Sequence, residues 1–281
     1  MLKITDTYNL NDIYNFQLSF HTPYFFNVAF ESWKKCFEND IDGEGRALFK
    51  KLTVKAVYDN DELMGFIQYG KTAFGFDDNG EISSGISYPV IRNFYFIKEN
   101  AEGGNLLLNE AMQHFEAEKQ VYAFFHYFGM SCFARHGKLF EKHAHIEAVL
   151  KENGFEIEHE NVYYSSTING DEGSEVVITA NNLTKGNQQY IDFRINNNHI
   201  GGCEVHYLDE STAYLRWIYI NGDITGKGFG TKYMNALKNF LYRKGIKRFD
   251  TDTAINNTVA QHYYEKNNFI REGVTKSYYK K

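Results

Sequence analysis

Three features of the sequence predict an α/β fold made of two tandem copies of one mixed sheet-and-helix module. The apolar residues are unusually aromatic, with 24 Phe and 21 Tyr among 281 residues, and such side chains fit the half-buried pleated surface of a sheet. Segments that alternate apolar and polar residues are interleaved with segments of helical spacing, as where helices cover a sheet. The same order of segments recurs after residue 175, the mark of a duplicated unit.

Taken in order, Leu10 to Phe20 and Phe25 to Phe37 read as helices, with apolar residues returning on one face at three and four spacing. VKAVYDNDELMGFIQYG alternates around Asp59, Asn60 and Asp61, the composition of a hairpin turn. YPVIRNFYF is the next strand, and a loop at Gly103 and Gly104 opens a helix near Leu106. VYAFFHYF reads as a buried strand, followed by a helix ending at Asn153 to Phe155 and a strand through Tyr163 and Tyr164.

In the second copy, IDFRINNNHIGGCEVHY repeats the hairpin, with Asn196, Asn197 and Asn198 at its turn. LRWIYI (215–220) matches IRNFYF (91–96), aligning Arg216 with Arg92 and Tyr219 with Tyr95. NNFIREGVTKSYY (267–279) mirrors NGFEIEHENVYY (153–164). The polar stretch TINGDEGSE (167–175) serves as the linker, which sets two domains at 1–168 and 169–281. The second copy has no room for the opening helices.

Composition narrows the partners. A formal net charge of -6 argues against nucleic acid, whose phosphates need a basic face, although a basic pocket can exist locally. No apolar run approaches the roughly 20 residues of a membrane span, and MLKITDTYNLND lacks the basic and apolar regions of a signal peptide. A soluble, cytoplasmic protein with no membrane partner, monomeric or homodimeric, is therefore expected. Cys36, Cys132 and Cys203 are too few and too widely spaced for a disulfide framework or a metal knuckle, and read as buried thiols.

The segment that carries chemistry is NGDITGKGFGTKYMNALKNFLYRKG, a glycine loop between the strand LRWIYI and an amphipathic helix with Tyr233, Leu237 and Leu241 on one side. Gly226, Gly228 and Gly230 can adopt angles closed to other residues, so that successive N–H groups and the helix N-terminus cradle a diphosphate. Lys227 adds a positive charge. A plain helix-entry turn accounts for the glycines equally well.

In its wider context this loop resembles that of the GNAT N-acetyltransferases, whose loop has the form Q/R-x-x-G-x-G/A. TGKGFG (225–230) fits that form except that Thr225 stands where Gln or Arg is usual. Downstream, NTVAQHYYEKNNF (257–269) is similar to the family's second signature: Asn257, Ala260, Tyr264 and Phe269 fall in step, with Asn268 where glycine is usual. The resemblance covers about 188–281, and a degenerate form of it covers about 50–165. There the loop KENAEGGN carries Glu99 and Glu102, which repel a diphosphate. The first copy is expected to bind CoA poorly and to complete the acceptor pocket, as in tandem GNAT proteins.

The resemblance implies roles residue by residue. Thr225, Gly226, Lys227, Gly228, Phe229, Gly230 and Thr231 would hold the CoA diphosphate. The main chain of Ile218, Tyr219 and Ile220 would bond the pantetheine and polarise the thioester, stabilising the oxyanion, or these residues are simply a central strand. Tyr264 would protonate the departing thiolate, since a phenol with a pKa of about 10 is neutral at pH 7; the alternative is a tyrosine packed in the core. Asn257 would face the cofactor, and helix capping alone also explains it.

Many relatives place a catalytic Glu where this chain has Arg216, so the base must lie elsewhere. Glu204 and His206, which strand alternation puts on one face, and Asp252 are the candidates, and each also reads as an ordinary polar residue. Arg216 suits recognition of an acidic acceptor or a strand salt bridge. HAHIE, with His143, His145 and Glu147, superficially suggests zinc, yet residues two apart on a helix do not face each other, so no metal is expected.

The function that the resemblance implies is direct transfer of an acyl group, acetyl above all, from CoA to an amine of a small molecule or peptide. Binding both substrates side by side supplies the proximity. A noncatalytic acyl-CoA sensor is the first rival. The second is a Fem-type aminoacyltransferase using charged transfer RNA, against which the acidic balance counts.

Overall fold

A computed structural model describes residues 1–25, 28–134, 136–169, 176–180, 187–222 and 228–281. The chain forms two compact units. Unit 1 holds Met1–Asp42, Arg46–Glu160 and Thr275–Lys281, and unit 2 holds Gly43–Gly45 and Asn161–Val274.

In chain order the elements of unit 1 are β1 (Leu2–Thr5), α1 (Leu10–Ser19), α2 (Phe30–Asn39), β2 (Phe49–Asp59), β3 (Glu62–Thr72), β4 (Gly75–Phe76), β5 (Ile82–Ser83), β6 (Pro89–Phe96), α3 (Ala101–His114), β7 (Val121–Ala123), β8 (Leu139–Phe140) and α4 (Ala144–Glu152). The strand β9 (Glu156–Thr167) follows and carries the chain into unit 2. There come β10 (Val177–Ala180), β11 (Gln188–Ile195), β12 (Asn198–Tyr207), β13 (Thr212–Ile220), α5 (Phe229–Arg243), β14 (Arg248–Ala254), α6 (Thr258–Lys266) and β15 (Ile270–Lys280).

The two sheets repeat one plan. In unit 1, β1, β2, β3 and β6 are antiparallel neighbours and β6 pairs parallel with β7. In unit 2, β10, β11, β12 and β13 are antiparallel and β13 pairs parallel with β14. The parallel step requires a crossover, supplied by α3 in one unit and α5 in the other.

The last strand of each repeat is exchanged. Residues 161–167 of β9 pair with β14 in unit 2, whereas Tyr278, Tyr279 and Lys280 of β15 pair with β7 in unit 1. Compact units and sequence repeats therefore divide the chain differently.

Local chemistry explains the hairpins. Asn60 turns β2 into β3 at φ 55°, and Asn196 and Asn197 turn β11 into β12 at φ 49° and 66°; Asn is among the few residues that tolerate the left-handed region. The core of unit 2 is formed by Ile191, Phe193, Cys203, Val205, Ala213 and Leu215 from the sheet, with Tyr233, Met234, Leu237 and Leu241 from α5, a helical stripe on one face.

Three expectations need correction. The helix placed near Leu106 begins at Ala101, because Asn100 caps it by accepting from the Gly103 N–H at 3.0 Å. Gly103 and Gly104 are thus in its first turn, and a Cβ on Gly104 would lie 2.7 Å from the Phe96 ring. VYAFFHYF is a strand only as far as Ala123, since Phe124 at φ 54° leaves the extended region. The second opening helix starts at Phe30 and runs to Asn39. Residues 170–175 of the linker lie outside the described residues.

Candidate active site

The site of unit 2 is built where β13 and β14 part. Their parallel ladder ends at Leu215↔Thr251, while β13 continues to Ile220 and β14 to Ala254. On its other edge β13 pairs Glu204 with Trp217 and Val205 with Leu215, leaving Arg216 as the extra residue of a β-bulge. A bulge twists and bends its strand, so the ladder opens at the residue where the bulge falls. Beyond it, Arg216 to Ile220 have no rung to β14.

Around this opening the sheet has two faces. Thr251 lies on the helix side, where it donates to Leu215 O at 3.0 Å and hydrogen-bonds Tyr264 of α6. Tyr264 is 5% exposed, and burial pushes its phenol above the ordinary value, which keeps it protonated. It also packs 5.5 Å from Phe269 and 5.8 Å from Tyr164. Both readings of Tyr264, core residue and proton donor, are physically compatible.

The other face carries the carboxylates. Glu204 Oε1 is 2.6 Å from His206 Nε2, and Glu204 Oε2 accepts from Trp217 Nε1 at 3.1 Å. Burial pushes the Glu204 carboxyl up, but His206, Arg216 at 3.8 Å and the Trp217 N–H outweigh it and hold it below its ordinary value. Asp252 accepts from Tyr214 and Asn161. Strand alternation thus brings Glu204 and His206 into contact, while Asp252 belongs to a separate group on β14.

Asp250, two residues earlier on the same face, was not singled out from the sequence. It is fully buried, bonded to Tyr163 at 2.9 Å and paired with Arg248 at 2.9 Å. Burial pushes its carboxyl up to about 6, against the pull of Arg248 and Tyr163. The alternation in DTDTA was the available signal: it puts both aspartates on one face. Tyr163 and Tyr214 come from other strands and no local pattern announces them.

The glycine loop meets the structure at its end. Gly228 is the N-cap of α5 at φ +79°, and among the described residues no side chain caps the helix and nothing lies within 4 Å of where a Cβ on Gly228 would be. The first N–H groups of a helix, here those of Phe229, Gly230 and Thr231, have no partner within the helix and are of the kind that bind anions. Gly230 has a packing reason, since a Cβ there would lie 2.9 Å from the Tyr263 ring, whose hydroxyl donates to Gly230 O at 3.0 Å. Thr225, Gly226 and Lys227 lie outside the described residues. Asn257 caps α6 by accepting from the Ala260 N–H at 3.1 Å.

Unit 1 closes the same features. Its ladder between β6 and β7 ends at Ile91↔Ala123, and the bulge falls on Arg92. Arg92 is 2% exposed, paired with Asp40, and donates to the carbonyls of Phe128, Cys36 and Gly129. The N-terminus of α3 is capped by Asn100 where that of α5 has only Gly228.

Two of the residues considered for zinc are engaged elsewhere: His145 Nε2 is 2.9 Å from Phe96 O, and Glu147 pairs with Lys151 and Lys276. Among the described residues no group of three or more His, Cys, Asp or Glu side chains is placed to hold a metal ion. Among them, too, no helix is long and apolar enough to cross a membrane.

With this geometry in hand, comparison with known proteins is informative. The Acetyltransferase (GNAT) family model matches residues 157–269, the stretch that holds the open ladder, α5 and α6. The fold is similar to a GCN5-related glucosamine N-acetyltransferase region of a fungal multi-domain β-N-acetylglucosaminidase, with TM-score 0.64 and 10% identity over 99% of this chain. This chain spans only 38% of that one.

It is also similar to a GCN5-related N-acetyltransferase from Sphaerobacter thermophilus, with TM-score 0.62 and 9% identity over 99% of this chain and 95% of that one. A tandem GNAT protein from the clavulanic acid biosynthesis pathway matches with TM-score 0.58 and 9% identity over 99% and 98% of the two chains. At such identities the likeness is one of fold. A comparison with curated protein sequences gave no match. The match to the Acetyltransferase (GNAT) family therefore falls on residues 157–269, the segment that builds the site, and the likeness to the solved structures extends over the repeated fold.

Proposed function

We propose that unit 2 transfers an acyl group, acetyl above all, from CoA to an amine of a small molecule or peptide. One observation carries this reading: within a single unit, a parallel ladder opens at a bulge beside Tyr264, and β13 precedes α5, whose N-terminus no side chain caps among the described residues. The loop 225–231 and the α5 N–H groups hold the diphosphate. The main chain of Ile218, Tyr219 and Ile220, free of a β14 partner, bonds the pantetheine and polarises the thioester carbonyl. Tyr264 protonates the leaving thiolate. Glu204 with His206, or Asp252, takes the proton of the amine, directly or through water. Asn257 orients α6 by capping it.

The domain assignment follows: 1–168 is a copy that has given up CoA, and 169–281 is the working copy. Asn100 at the α3 N-terminus and the buried Arg92 support this division. No metal takes part, and the protein acts in the cytoplasm as a monomer or homodimer without nucleic acid.

The test is calorimetric titration with acetyl-CoA, run beside Gly228→Glu, which adds a negative charge at the helix entry and strains a backbone at φ +79°. The expected result is micromolar binding at one site per chain, abolished in a variant that keeps its circular dichroism spectrum. Absence of binding by the wild-type protein overturns the reading. Binding without turnover of any amine identifies instead a noncatalytic acyl-CoA sensor, the alternative favoured by the lack of a carboxylate at position 216.

A further inference from the structure

On the sheet face that α1 and α2 cover in unit 1, the stretch beside the bulge of unit 2 is partly open among the described residues, although His206, Tyr214 and Asp250 on that face are buried. In unit 1 the rungs beside the bulge carry Gln68 opposite Asn93 and Phe66 opposite Tyr95. Gln17 of α1 bonds Asn93, Trp33 of α2 bonds Gln17, and Tyr95 is 1% exposed. The same rungs of unit 2 carry Glu204 opposite Trp217 and Gly202 opposite Tyr219, and Tyr219 is 39% exposed.

This face presents aromatic rings. Tyr190 of β11 lies across β12 rather than standing off the sheet: its hydroxyl is 3.2 Å from that of Tyr219 on β13, and a Cβ on Gly202 would be 2.7 Å from it. Its ring is 5.5 Å from Trp217, which is 5.9 Å from Tyr219. Rings lying on a sheet offer their faces outward. Exposed aromatic clusters of this kind, rigid and tipped with polar groups, form contact surfaces at low entropic cost.

The charges beside the rings are already matched. Glu204 has His206 and Arg216, and Asp192 has His199 at 3.2 Å and Arg194 at 3.9 Å. An added ammonium would therefore meet carboxylates that already have cations, whereas a flat ring gains the stacking surface. Trp217 also sits in the same strand segment whose main chain, in the acyl-transfer reading, holds the thioester.

Resting on that reading, we infer that the acceptor is a ring-bearing amine, an amino sugar or an arylalkylamine, whose ring stacks on Trp217, Tyr190 and Tyr219. Its unprotonated nitrogen then attacks the thioester carbonyl of acetyl-CoA. A C–N bond forms, the C–S bond breaks, the nitrogen gives up a proton to base, and the sulfur leaves as a thiolate that takes one to become the CoA thiol.

The experiment follows CoA thiol release by the full chain with acetyl-CoA and galactosamine, phenylethylamine, hexylamine or 1,4-diaminobutane, alongside acetyl-CoA titration of each variant. A ring-bearing amine is expected to show the lowest KM, and which of the two wins decides sugar against aryl. Tyr190→Ala is expected to raise that KM about tenfold, as loss of one stacking partner implies, with kcat and acetyl-CoA affinity unchanged and with Tyr190→Phe restoring most of it. If Tyr190→Ala loses its fold or its acetyl-CoA binding, Tyr190→Leu, which keeps an apolar side chain without a ring, carries the same test.

Preference for a linear amine, turnover of none of the four, or a KM indifferent to these substitutions overturns the inference while acetyl-CoA binding leaves the acyl-transfer reading standing. Absence of acetyl-CoA binding overturns both.

Discussion

Arg92 and Arg216 are the extra residues of β-bulges on the same rung of the two sheets, yet the first is buried in an ion pair with Asp40 and the second is 40% exposed at its side chain. The bulge that opens a ladder in unit 2 is filled by the chain's own loops and helices in unit 1. That difference leads to opposite mutational outcomes.

Arg92→Ala leaves Asp40 buried without its cation, and removal of one member of a buried pair costs about 3–5 kcal/mol. Arg216→Ala removes a half-exposed partner of Glu204 and should change stability by less than about 1 kcal/mol. Urea denaturation of the two variants measures both; equal losses contradict the contrast between a filled and an open bulge.

Tyr264→Phe keeps the ring that packs on Phe269 and deletes the proton. With the thiolate unprotonated, kcat should fall by roughly 10²-fold while acetyl-CoA affinity stays the same. Because burial raises the phenol, the wild-type rate should show no alkaline loss from this group until above the ordinary tyrosine range. A variant with unchanged kcat makes Tyr264 a core residue and no more.

Asp250 gives a pH signature. Its native carboxyl, at about 6, binds a proton more tightly than the unfolded chain does at about 3.9. The native state therefore gains stability as pH falls from about 6 toward 4, and loses that gain as pH rises through 6. The effect is on the order of 2–3 kcal/mol for a shift of this size, the Arg248 pairing being already contained in it. Compared with Asp250→Asn in urea titrations at pH 7.5 and 4.5, the wild type should be the less stable at the higher pH, with the gap narrowing at the lower. A gap that widens on acidification contradicts the assignment.

Cutting the chain between 168 and 169 should leave neither piece folded. Residues 169–281 lack the strand that pairs with β14 and brings Tyr163 and Tyr164, both fully buried, into unit 2. Residues 1–168 lack Thr275–Lys281 and the rungs to β7. Loss of even one large buried aromatic costs about 3–5 kcal/mol. Circular dichroism of each piece, and of the two mixed, checks this; a cooperative melt from either piece alone contradicts it.

The repeat was legible in the sequence because each copy must solve the same local problems. Asn60 and Asn196 mark the hairpins, and IRNFYF and LRWIYI mark the strands beside the crossover. The family signatures were equally legible, since a glycine that must reach φ +79° and an Asn that must cap α6 are local requirements. Boundaries that depend on neighbours were not. Asn100 pulls the start of α3 forward to Ala101, and Phe124 ends β7 three residues after it begins.

By itself the sequence determined the module, its duplication and the position of the glycine loop, because these rest on periodicity and backbone chemistry within a few residues. Tertiary structure decided where the last strand of each repeat pairs, that the bulge at Arg216 stays open while the one at Arg92 is filled, and which carboxylates meet: Asp250 with Tyr163, Asp252 with Tyr214 and Asn161. Each of these is settled by groups about 40 to 90 residues apart or more in the chain, and burial, charge pairing and pKa are properties of those meetings rather than of any one segment.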